Sequence, residues 1–239
     1  MKNTICEKLM WSAMTPTIFR YIATHCKNTD ISMVKKKLVK KKSRENFQDI
    51  LARTPDIGGF TKNPLRLCLS GGIVWLAVYK AMDGMMSHEQ FGEMVAATMQ
   101  APLIRKAFGS KNPFDMEYQK KKVERDKIAN AISDSEFNWM TETIPGRDAD
   151  EYIINYHRCG LCALGKQEHL EELIPYMCAM DFISADLMGG VLYRTGTLAE
   201  GAEKCDFYVC KKDSKWDKER KYGQQSKLQK QGELGKWNM

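Results

Sequence analysis

The sequence has no run of about eighteen uncharged apolar residues, the length a membrane-spanning helix needs. Its most apolar stretch, Leu67 to Tyr79, is too short, so membrane insertion is not expected. Glu7 and Lys8 stand where a signal peptide would carry its apolar segment, and no cleavage pattern follows. A cytoplasmic location is therefore the expectation, and there eight cysteines read as reduced thiols or ligands rather than a disulfide framework. No second CxxC accompanies Cys159-x-x-Cys162, which argues against a four-cysteine structural zinc site. There is no internal repeat.

A 239-residue chain with 43% hydrophobic residues can bury a sizeable core. Its net charge of +7 is unevenly spread: from Lys211 onward there are nine Lys/Arg and four Asp/Glu, so the body is close to neutral. The runs Lys35-Lys36-Lys37 and Lys40-Lys41-Lys42 flank only Leu38 and Val39, with no aromatic residue to stack a base. They read as a solvated helix face, and nucleic acid is not an expected partner.

Residues 4 to 26 read as a helix interrupted near Thr15-Pro16, and 30 to 53 as a second helix capped by Asp30. Thr54 to Gly59 is a loop, after which Leu65 to Met82 suits a helix buried in a bundle. Ser87 to Gln90 has capping-box spacing, and Phe91, Met94, Val95, Thr98 and Met99 follow as a helical stripe of core residues. A charged helix is expected between Phe114 and Ile132.

Beyond residue 136 the period changes. Phe137, Trp139, Thr141 and Thr143 alternate, Pro145-Gly146 turns the chain, and Tyr152, Ile154 and Tyr156 alternate again, which predicts two antiparallel strands. A helix over about 168 to 188, kinked at Pro175, and a strand pair at 191–195 and 205–210 complete an α+β fold. The expected division is 1–62 as N-terminal helices, 63–210 as an α+β domain of helices against a small antiparallel sheet, and 211–239 as a basic, frayed tail.

Four of the eight cysteines fall between His157 and Phe207, together with an imidazole and several carboxylates. His157, Cys159, Cys178 and Cys205 would make a mixed metal site if they converged; as separate buried thiols they are core packing. Cys178 and Asp181, three apart, share one face of the predicted helix. Asp181 stands among Met180, Phe182 and Ile183, which places it either in a pocket wall or in a pair with Arg194 or Arg158. Arg194 has the geometry to hold a carboxylate with a bidentate pair.

The ordered set Arg158-Cys159, Cys178-x-x-Asp181, Arg194-Thr195-x-Thr197 and Gly201-x-x-x-Cys205-Asp206-Phe207 resembles the L-2-amino-thiazoline-4-carboxylic acid hydrolase family. Asn63-Pro64 and the following helix with Leu76-Ala77-Val78-Tyr79 are similar as well, so the resemblance covers roughly residues 45 to 210. Cys162 is not part of the shared pattern. The resemblance implies hydrolytic opening of a 2-aminothiazoline ring to an N-carbamoyl-cysteine. In that reading Asp181 or His157 is the base, and Arg194 or Arg158 clamps the substrate carboxylate with Thr197 beside it. Cys178 and Cys205 then serve as nucleophile or, with Cys159, as ligands of a divalent metal, zinc or manganese. The Gly-x-x-x-Cys-x-Phe ending also resembles vinyl-reductase-type modules, which implies binding of a small molecule or metal without turnover. A small-molecule substrate is the expected partner, and self-association is left open.

Overall fold

In the computed structural model the residues described are 1, 4–26 and 33–230. Helices α1 (Ile5–His25) and α2 (Met33–Arg53) pack on α3 (Arg66–Met82), whose residues Leu69 and Ile73 to Val78 are all buried. An apolar run buried on nearly every face behaves as the spine of a bundle. Helix α4 (His88–Met99) starts at the Ser87–Gln90 capping box and buries Phe91, Met94, Val95, Thr98 and Met99, the stripe read from the sequence. Helix α5 (Pro102–Gly109) buries none of its residues, and α6 (Met116–Ile132) is capped by Asp115.

The second half is a four-stranded antiparallel sheet of order β1-β2-β4-β3: β1 (Met140–Pro145), β2 (Glu151–Arg158), β3 (Gly190–Tyr193) and β4 (Cys205–Lys211). Register pairs Tyr156 with Cys205 and Ile154 with Phe207, so these side chains share one face. Between β2 and β3 the chain forms α7 (Gly160–Glu168), a 3-10 turn, α8 (Ile174–Cys178) and α9 (Met180–Leu187). After β4 comes α10 (Lys215–Lys230). The fold is thus α+β. One core runs from Met14 through α3 to Leu161, Leu164 and Met177; a smaller one lies under the sheet around Tyr152, Leu192 and Phe207.

Several elements differ from the sequence reading. Helix α1 continues through Pro16, because Met14, Ile18, Tyr21 and Ile22 anchor it on both sides of the missing hydrogen bond. The long helix expected over 168–188 is broken: His169 ends α7 in the left-handed region, and Pro175 restarts the chain in the first turn of α8, where no N–H is required. Phe137 and Trp139 precede β1 instead of belonging to it, with Trp139 buried in the larger core.

The segment from 211 is not frayed as far as it is described. Asp217 is fully buried and accepts from Tyr193 Oη at 2.7 Å, while Trp216 Nε1 donates to Asp148 at 2.9 Å. Residues 231–239 of the expected tail and the expected cap Asp30 lie outside the described residues. The lysine face does have aromatic neighbours, contributed by α1: Lys40 lies 5.3 Å over the Phe19 ring and Arg44 6.0 Å over Trp11. No helix of the described residues is long and apolar enough to cross a membrane.

Candidate functional site

Asp181, in the first turn of α9, faces Arg194, which follows β3. Arg194 Nη1 donates to Asp181 Oδ2 at 3.1 Å and to the Cys178 carbonyl at 3.2 Å. The guanidinium lies 4.6 Å over the Phe182 ring and 5.6 Å over Phe207. With its faces against aromatic rings and Nη1 committed, Arg194 keeps Nε and Nη2 without hydrogen-bond partners among the described residues. That free edge is suited to a planar anion.

The loop that delivers Arg194 is held by Asp206. Thr195 N and Gly196 N donate to Asp206 Oδ1 at 3.0 and 3.1 Å, and Thr195 Oγ1 donates to Oδ2 at 2.6 Å. Burial would raise the Asp206 pKa, but these bonds outweigh it and hold the carboxyl below its usual range. Thr197 is buried and donates to Glu200 at 2.7 Å, closing the turn that Gly201 ends at φ +86°. A residue with a side chain would be strained there, so the glycine of the motif has a backbone reason.

Asp181 is different. Burial pushes its pKa up to about 7, and the attraction and hydrogen bond of Arg194 offset this only in part. A quarter of the side chain remains accessible. A carboxylate surrounded by protein yet reachable from solvent, titrating near neutrality, has the properties of a general base. Around it stand Cys178, Cys205, Cys159 and Cys68, each close enough to sense the Asp181 charge, and Tyr156 with its hydroxyl raised by burial.

The thiols fall into two kinds. Burial raises Cys178, and raises Cys205 to about 11 even though Leu198 N donates to its sulfur at 3.2 Å. Both therefore stay protonated near neutral pH, which disfavours them as nucleophiles; a bound metal would itself deprotonate a ligating thiol. Cys159 is lowered, chiefly by hydrogen bonding with the Cys162 thiol against the effect of burial, while Cys162 is raised. Cys159 is the N-cap of α7; its side chain makes no capping hydrogen bond, but its place at the positive end of the helix favours the thiolate.

Other expected site residues stand apart. His157 points from β2 to the opposite face from Tyr156, 3.4 Å from Glu142, at the end of a groove of about 710 Å³ between α6 and β1. Arg158 donates to the carbonyls of Asn138, Asp134 and Ser133, at 2.8, 3.2 and 3.3 Å, and so fastens the loop before β1. Thr197 is occupied by Glu200. Among the described residues no three His, Cys, Asp or Glu side chains are arranged to hold a metal ion, and Cys159, Cys178 and Cys205 do not form such a group.

The sequence reading missed Cys68 on α3, the clasp of Phe182 and Phe207 on Arg194, and Tyr156. Only Tyr156 was legible in principle, since strand alternation puts it on the face of Cys205. Cys68 comes from ninety residues upstream, and nothing local marks it.

No curated protein and no solved structure matches the chain. The model of one protein family, described as L-2-amino-thiazoline-4-carboxylic acid hydrolase, matches residues 69–209. That span takes in α3 from Leu69 on, the Asp181–Arg194 pair and the sheet through Val209, and the chain belongs to this family.

Proposed function

We propose that the protein is a hydrolase that opens a 2-aminothiazoline-type ring bearing a carboxylate. The observation that carries this reading is Asp181, poised at about 7 beside Arg194 in a half-buried site. The free edge of Arg194 takes the substrate carboxylate. Asp181 as carboxylate accepts a proton from water as its oxygen bonds to the ring carbon between nitrogen and sulfur. The C=N π pair moves to the ring nitrogen, which takes the remaining hydroxyl proton as the C=O bond forms; the C–S bond breaks, and the proton on Asp181 passes to the departing sulfur. Water has been added across the C–S bond, and the product is an N-carbamoyl-cysteine with a free thiol. Cys178, Cys205 and Cys68 act as neutral walls that keep the site poorly solvated.

The test is incubation of the protein with 2-amino-thiazoline-4-carboxylate, with new thiol measured by a chromogenic disulfide and product by mass. Thiol release is expected to rise with pH and reach half its maximum near the Asp181 pKa, and Asp181→Asn is expected to lower kcat at least about a hundredfold. Tight binding of the compound without thiol release would sink hydrolysis and favour the non-catalytic binding module.

A further inference from the structure

Cys162 lies outside the shared motif and neither it nor Cys159 is used in the ring-opening chemistry, yet the two are built as a pair. Cys159 stands at the N-cap of α7, a nine-residue helix, and Cys162 one turn inside it, with the two thiols in direct interaction. Both residues are half-buried rather than sealed in the core. Residues three apart across a helix turn have Cα atoms about 5 Å apart, within the roughly 4.4–6.8 Å that a disulfide spans. Between them Gly160 fixes the turn: a Cβ there would lie 2.2 Å from the Phe137 carbonyl oxygen and 2.6 Å from the Trp139 ring. The backbone at this dithiol is thus clamped by neighbouring chain, and the carboxyl of Asp181 lies within electrostatic reach of Cys159.

We propose that Cys159 and Cys162 are a thiol–disulfide exchange site for low-molecular-weight disulfides, an activity separate from ring opening. The Cys159 thiolate attacks one sulfur of the small disulfide, forming a mixed disulfide and releasing one small thiolate, which takes up a proton. Cys162, losing its proton, attacks the Cys159 sulfur. A Cys159–Cys162 disulfide forms and the second small thiol leaves. Two protein thiols are oxidised by two electrons and one small disulfide is reduced to two thiols. Cys159 is the attacking residue because it stands at the N-cap of α7, where the positive end of the helix favours its thiolate, and Cys162, inside the first turn, is the resolving one.

The full-length protein is equilibrated in buffers of fixed reduced-to-oxidised glutathione ratio, quenched by alkylation and mapped by mass spectrometry. A Cys159–Cys162 link should form and reverse with the ratio while the other six cysteines remain alkylated. In Cys162→Ser a glutathione adduct should accumulate on Cys159; in Cys159→Ser, Cys162 should stay unmodified. In the reduced protein Cys159 should be alkylated at pH 7 at least about tenfold faster than Cys6, whose thiol is raised by burial. Free thiols at both positions across every ratio that preserves the fold would overturn the proposal, as would links among other cysteines or a lasting adduct on Cys162 alone. The map of the unsubstituted protein decides even if a variant fails to fold, and no readout depends on ring opening.

Discussion

Two aspartates of the shared motif are pulled in opposite directions by their surroundings. Asp206 receives two backbone N–H groups and a hydroxyl and stays ionised; Asp181 has one guanidinium against a largely desolvated position and rises to about 7. Environments that separate like groups in this way divide their roles: Asp206 positions a loop, and Asp181 is the one that moves a proton in the proposed reaction. Because the folded pKa of Asp181 exceeds the ordinary value of about 3.9, the folded state holds more protons than the unfolded one between about pH 4 and 7. The fold is therefore favoured below about pH 4 and loses that contribution as pH rises through 7. Asp181→Asn should remove this slope, becoming more stable than the parent by ~2–4 kcal/mol at pH 8 and no more stable at pH 4, as read by denaturant unfolding. At the same scale, Arg194→Lys keeps the charge but loses the planar edge and the stacking on Phe182 and Phe207. It should raise KM about 10–100-fold, with a smaller change in kcat, in the thiol-release assay.

Among elements, the informative case is the segment expected as one helix over 168–188. Apolar periodicity marks that the chain there is helical, and it is, but periodicity carries no signal for the left-handed turn at His169 or the new start before Pro175. The break matters to the site. Cys178 closes α8 and Asp181 opens α9, so the Cys178 carbonyl is left free to accept from Arg194. The strand pairs and the capping box of α4 were legible because each is set by residues a few positions apart. Helix α7 was hidden, since Gly160, its first residue, is a poor helix former packed closely against Phe137 and Trp139. Gly160→Ala should accordingly destabilise the protein by about 1–3 kcal/mol, measured by thermal or denaturant unfolding, through overpacking against a backbone carbonyl that cannot yield cheaply.

Across the molecule, buried charges tie the helical half together. Glu7 of α1 is fully buried; burial would raise its pKa, but Arg66 at 2.8 Å and the bonds to Thr4 outweigh this and hold it low. Arg66 also reaches Asp56 at 3.0 Å and the Gly58 carbonyl at 2.8 Å. Glu168, likewise buried, joins Arg53 of α2 and Lys80 of α3 to the end of α7. Arg66→Ala should cost about 3–5 kcal/mol in equilibrium unfolding, because it leaves Glu7 charged and unpaired in the core. These pairings escape a sequence reading, since Glu7–Arg66, Glu168–Arg53 and Glu168–Lys80 join residues tens of positions apart and any of several cations would satisfy a local pattern.

The same distance along the chain governs the site. Cys68, Tyr156, Asp181, Arg194 and Cys205 come from α3, β2, α9, the loop after β3 and the start of β4. A growing polypeptide released before Cys205 holds most of these groups but neither the β4 partner of Tyr156 nor the Asp206 brace that seats Arg194. Competence thus arrives as a late event of maturation, after the most distant strand has found its place.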